Sequence, residues 1–201
     1  MKEQLQKDFE NTIRNLSLSQ KDIEIKKFSL DNFINKGFPN RREEDWKFSD
    51  LNQIINKNIG ELSFYNDYTS TNKVDTSVFV DGLVHNKIVF INGRIEKIDF
   101  DYEKKDQIEI IDQSEIINKF ENNNSLSDLN SAFTNKSFKI VVKKGYQLSK
   151  PLIIYHTTNS KIWSKNINLR LDFELQEDSS LRLIDLFNDT SEKNFLNIFY
   201  N

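Results

Sequence analysis

The sequence predicts a mainly β chain with an N-terminal α+β region. Three observations carry this: a helical spacing of apolar residues confined to the first third, an Asn-Gly hairpin signature near the middle, and a run of short alternating strands after Phe133. The boundary falls accordingly, with 1–133 a helical and hairpin region and 134–201 a β core.

Taken in order, Leu5, Phe9, Ile13 and Leu16 recur at steps of four and three, which lines one face of a first helix. A second, short helix is predicted to start near Ser29 as its N-cap and to bury Leu30, Phe33 and Ile34. Gly37 then supplies the residue after its C-cap, and Pro39 prevents the helix from resuming. Ser49 is predicted to cap a third helical turn carrying Leu51, Ile54 and Ile55. Residues 60–76 are polar with isolated aromatics and read as a long connection.

Residues 88–91 then lead through Asn92-Gly93 into Arg94-Ile95, and Asn-Gly best tolerates the positive φ of a type I′ turn, so a β-hairpin is predicted. A strand over 108–111, a helical turn over 116–120 and a soft Asn-rich patch at 122-NNNSLSD-128 follow. Beyond Phe133 come FKIVV, PLIIYHT, NINLRLDFEL, LRLIDLF and FLNIFY, each with apolar residues in alternation, as at Leu169, Leu171, Phe173 and Leu175. Strand starts recur roughly every fifteen residues with no helix between them. Such spacing suits either an antiparallel meander or sandwich, or the stacked turns of a β-solenoid.

Composition excludes several functions. A formal charge of −3 with acidic and basic residues interspersed offers no basic stripe for nucleic acid. No run approaches the roughly 20 apolar residues of a membrane span, and the first residues lack the apolar core of a secretory signal, so a cytoplasmic protein is predicted. With no cysteine the chain has neither disulfides nor thiolate ligands. Lys143-Lys144-Gly145 lacks the glycine spacing and following helix of a phosphate loop and reads as a turn.

The stretch 37-GFPNRREEDWKFSDL-51 resembles the G-[LF]-P-[ST]-R-x-x-E-x-W-[KR]-[YF]-[ST]-x-L segment of the SufD branch of the SufB/SufD family, subunits of the SUF iron–sulfur cluster assembly scaffold. Gly37, Pro39, Arg41, Glu44, Trp46, Lys47, Phe48, Ser49 and Leu51 occupy the matching positions. IVFINGRI at 88–95 is similar to the family's L-V-F-V-D-G-R hairpin, and 129-LNSAFTNKSFKIVVKKGYQLSKPLIIYHTT-158 resembles its L-N-x-A…G-x-x-I-x-V-x-x-G…P-I passage, with Lys136 or Ser137 where the family often has Gly.

This resemblance implies an N-terminal helical region, the first coils of a right-handed parallel β-helix, and a native polypeptide that continues beyond Asn201 to a domain docking the ATPase SufC. It implies a non-catalytic scaffold component with a SufB-like subunit and a SufC-like ATPase as partners. The iron–sulfur cluster would be handled by the wider complex, with no cofactor bound by this portion. The family's cluster-related histidine would lie past residue 201, so no catalytic, cofactor-binding or metal residue is assigned.

The residues themselves support bland roles. Trp46, Phe48 and Leu51 are expected to pack their segment onto the hairpin sheet, with Arg41 and Glu44 forming an ion pair beside them, rather than to form a docking clasp. The cost of Trp46→Ala would then be that of a core residue. His156 is expected to point inward with Leu152 and Ile154 as a structural histidine, and His85 to be exposed. The main rival function is a β-helix carbohydrate-binding or polysaccharide-acting protein, for which Asp99 with Asp101, Glu43-Glu44-Asp45 and Glu177-Asp178 are the candidate carboxylates. Glu177-Asp178 reads more simply as a turn.

Overall fold

The computed structural model describes residues 2–14, 16, 18–58, 63–65, 72–113, 124–159, 162–189 and 193–201. Two open sheets combine with four α-helices, so among these residues the chain is mixed α and β rather than mainly β. The predicted turn over 116–120 lies outside the described residues.

Helix α1 (Lys2–Arg14) buries Leu5 and Phe9 as its spacing requires. Helix α2 spans Gln20–Lys36 and so begins well before Ser29, which is buried inside it. The true cap is Ser19, whose hydroxyl accepts from the Asp22 backbone N–H (3.2 Å) and donates to the Asp22 carboxylate (2.5 Å). Gly37 ends the helix at φ 73°, its N–H donating to the Phe33 carbonyl. For α3 (Leu51–Asn58) the capping side chain is Asp50, which accepts from the Gln53 N–H at 2.9 Å, in place of Ser49. Helix α4 (Ser125–Phe133) occupies much of the stretch read as soft, capped by Asn124 and buried along most of its length.

The strands are β1 (Ser63–Phe64), β2 (Asn86–Ile91), β3 (Arg94–Asp99), β4 (Ile108–Asp112), β5 (Lys136–Val142), β6 (Leu152–Thr158), β7 (Lys165–Leu175), β8 (Leu183–Asp189) and β9 (Phe195–Tyr200). The predicted hairpin joins β2 to β3, with Asn92 and Gly93 at φ 52° and 78° and a bulge at Val89/Phe90. One sheet runs β1-β7-β5-β4 with β9 on the free side of β7, and the other runs β3-β2-β6-β8.

From β5 onward, successive strands alternate between the two sheets, and from β7 onward each lies parallel to the strand two before it. β7 follows β5 from Lys136↔Leu169 to Val142↔Leu175, β8 follows β6 from Leu152↔Leu183 to Thr158↔Asp189, and β9 follows β7 from Asn166↔Phe195 to Leu171↔Tyr200. The connecting turns stack as well, through Gly145 N–H to Glu177 O (2.8 Å), Leu148 N–H to Ser180 O (3.0 Å) and Leu152 N–H to Arg182 O (2.8 Å). β2 and β6 pair in parallel and β4 and β5 antiparallel, so both sheets draw strands from either side of residue 133.

Three apolar clusters result. Ile88, Phe90, Ile140, Val142, Leu152, Ile154, Leu169 and Leu171 fill the space between the sheets. Val89, Ile91, Ile153 and Tyr155, on the opposite face of the second sheet, are covered by Val74, Val78 and Phe79. Leu5, Phe9, Phe33, Phe38, Leu51, Phe64 and Phe133 make a helical core.

This third cluster corrects the reading of the 37–51 stretch. Leu51 and half-buried Trp46 pack into the helical core and not onto the hairpin, while Phe48 is 91% exposed. Among the described residues no ion pair joins Arg41 to Glu44, and both are exposed. Helix α4 ties the helical core to the first sheet. Lys26 donates from Nζ to the carbonyls of Ser131 (3.2 Å), Ala132 (3.4 Å) and Thr134 (2.7 Å), and Asn130 Nδ2 donates to the carbonyls of Leu169 (3.1 Å) and Asn197 (2.8 Å). Burial pushes Lys26 down to about 7, against the pull of Asp22.

Phe33, fully buried with its ring edge-on to Phe38 at 5.0 Å, is the better test of this core than Trp46. Phe33→Ala should cost about 3–5 kcal/mol in denaturant melts. Phe48→Ala should change stability by no more than about 0.5 kcal/mol, and Trp46→Ala should fall between the two. A Phe48 variant as damaging as Phe33→Ala would contradict this placement.

Candidate functional site

Alternation along β6 sends Leu152, Ile154 and His156 to the face between the sheets, and His156 is buried there as expected. In-register pairing sets Phe90 of β2 and Phe187 of β8 on either side of it. The three rings stack at centroid distances of 5.3 and 5.0 Å and interplanar angles of 12° and 18°.

The stack fixes the imidazole plane, and Nε2 meets two polar groups from the edge strands. Tyr200 of β9 lies 3.0 Å away at its hydroxyl, and Asp185 of β8 lies 2.9 Å away at Oδ1. Tyr200 in turn donates to Asp185 Oδ2 at 2.5 Å. Burial, then the hydrogen bond to Asp185 and its negative charge, push the Tyr200 phenol far above its ordinary pKa, so it remains a hydroxyl. Asp185 Oδ1 is buried, yet its approach to Nε2 is not aligned for a hydrogen bond.

His156 was legible as an inward residue. Its companions were not, because they lie 29 and 44 positions away and meet it only through the pairing of β8 with β6 and the packing of one sheet on the other. Among the described residues no three His, Cys, Asp or Glu side chains cluster as metal ligands. Here the third member is a tyrosine.

The other singled-out residues fall elsewhere. His85 is buried, against expectation. Nδ1 lies 2.6 Å from the Leu83 carbonyl and Nε2 lies 2.7 Å from the Tyr155 hydroxyl, which also accepts from the Val80 N–H at 3.0 Å. The carbonyl can only accept, so Nδ1 carries the proton and Tyr155 donates to Nε2. Glu177-Asp178 does form a turn, with Asp178 at φ 58°, and Glu177 pairs with Lys144. Lys144-Gly145 is also a turn, with Gly145 at φ 72°. Asp99 pairs with Lys87 at 3.5 Å, and Glu43, Glu44 and Asp45 are exposed. Asp99 and Glu177 therefore serve separate local contacts, and the 43–45 carboxylates lie on the surface.

One carboxylate that sequence reading passed over is the most heavily bonded of those described. Glu103 Oε1 accepts from Asn86 Nδ2 (2.8 Å), Ser149 Oγ (3.0 Å) and the Lys150 N–H (3.0 Å), while Oε2 accepts from the Tyr146 hydroxyl (2.7 Å) and the Ser149 N–H (3.1 Å). The group pins the segment after the hairpin to the β5–β6 turn. Burial opposes its charge, but these bonds outweigh burial and hold the carboxyl down at about 2.

Because the folded pKa lies below the ordinary 4.5, the stabilisation from Glu103 is fully present above about pH 4.5 and is lost as pH falls toward 2. Glu103→Gln should lower stability by about 1–3 kcal/mol at neutral pH and flatten the acid limb of the stability profile between pH 4.5 and 2. An acid limb as steep as that of the parent chain would contradict this role.

In comparison with known proteins, no family model matches the sequence and no curated protein gives a significant match.

Proposed function

We propose that this chain is a SufD-like, non-catalytic scaffold component of SUF-type iron–sulfur cluster assembly, acting in the cytoplasm. Its N-terminal helical region is followed by the first coils of a right-handed parallel β-helix. The observation that carries the reading is the alternation of β5 to β9 between two sheets, with β7, β8 and β9 each parallel and in register with the strand two before it. A solenoid wound around one apolar axis has this pattern, and an antiparallel meander or sandwich does not. The 37–51, 88–95 and 129–158 segments add the resemblance in sequence.

In such a scaffold the work lies in surfaces. Among the described residues β8 and β9 each have one paired side, and Leu183, Ile184 and Phe187 on β8 are exposed. An open edge with apolar side chains suits association with a SufB-like subunit through strand pairing and apolar contact. A SufC-like ATPase would supply nucleotide hydrolysis, and the iron–sulfur cluster would be the product of the complex and not a group held by this portion. The scattered candidate carboxylates give the polysaccharide-acting alternative no paired acid and base.

Co-expression of the native gene product with the SufB-like and SufC-like proteins of the same genome tests the reading. A stoichiometric complex through affinity and size-exclusion chromatography is the expected outcome. Separate elution of all three proteins would overturn it.

A further inference from the structure

We infer that His156, Asp185 and Tyr200 form a binding site for a divalent transition-metal ion of nitrogen and oxygen preference, for which zinc is the probe. The inference stands on the geometry of this trio and not on the scaffold reading.

The three donors come from three strands and two sheets yet converge to 2.9, 3.0 and 2.5 Å of one another. Ligands bound at about 2.0–2.2 Å to a common tetrahedral ion lie roughly 3.3–3.6 Å apart, so the three groups need to spread by only about 0.5–1 Å to admit one. Nε2 carries at most one proton, and that proton cannot serve both Tyr200 and Asp185. Asp185 Oδ1 is left buried without an aligned donor while 2.9 Å from a ring nitrogen. An ion in place of that proton would satisfy the carboxylate, the imidazole lone pair and the phenol oxygen together.

The surroundings suit the chemistry. Stacking between Phe90 and Phe187 holds the ring so that Nε2 faces the two oxygens. The Asp185 side chain is 25% exposed and Phe187 is 60% exposed, so the site opens at the β8 edge, where water can complete the coordination. No thiolate is present in the chain, and a donor set of imidazole, carboxylate and phenol favours a borderline divalent ion over a soft monovalent one. An imidazole nitrogen binds a metal only through its free lone pair, so protons compete with the ion for the site and affinity should rise with pH. An ion held there would brace both edge strands against β6.

The chain has only two histidines, so the experiment reads the site directly. The full chain is titrated with zinc chloride while the imidazole nitrogens are followed by long-range proton–nitrogen NMR. The His156 Nε2 resonance should shift at one equivalent, and the His85 signals, whose ring nitrogens are engaged by Leu83 and Tyr155, should stay in place. Asp185→Asn should weaken zinc binding roughly tenfold or more. If that variant fails to fold, Tyr200→Phe carries the test with the same weakening expected. An unmoved His156 resonance at saturating zinc, a shift confined to His85, or parental affinity in the folded variant would each overturn the proposal.

Discussion

The structure depends on one constraint: each strand from β7 onward must lie in parallel register on the strand two before it. Side chains alternate along a strand, so a one-residue slip would turn Phe138, Ile140 and Val142 out of the space they share with Leu169 and Leu171. Burial of those residues between the sheets therefore fixes the register. The register in turn stacks the Gly145 turn on the Glu177-Asp178 turn and aligns Phe90, His156 and Phe187 into a column. The polar trio at the end of that column follows from the pairing and not from any local motif.

Buried polar groups couple the layers, and each carries specific partners. Asn197 Nδ2 donates to the Leu126 carbonyl (2.9 Å) and to Asn168 Oδ1 (3.0 Å), while Asn130 reaches the backbones of β7 and β9. Lys26 meets the last carbonyls of α4, where the helix dipole favours a cation. Such groups are costly to bury alone and worth retaining once paired, which makes the seating of α4 on the sheet directional.

Legibility in the sequence followed the source of the signal. The five strands after Phe133, the Asn-Gly hairpin and α1 were readable because alternation and helical spacing are local. Helix α4 was not, since Asn130 and the serines of SLSDLNSAF look like loop residues until their tertiary bonds and burial are known. The early start of α2 was readable in principle, from the Ser19 to Asp22 capping pair, but buried Lys26 obscured its apolar face. His85 was misplaced because its two partners sit on different segments, and Trp46 because the helical core is assembled from residues as distant as Leu5 and Phe133.

Register between β6 and β8 tests the central claim most directly, and a chain without native cysteine allows a clean cross-link. Thr157 and Asn188 are direct partners, and Leu186 lies two residues off on the same face of β8. Adjacent strands sit about 4.8 Å apart, within disulfide reach. Oxidation of the folded Thr157→Cys/Asn188→Cys protein should give the intramolecular disulfide efficiently, and Thr157→Cys/Leu186→Cys should give little. Equal yields, or preference for the offset pair, would contradict the parallel stacking on which the account rests.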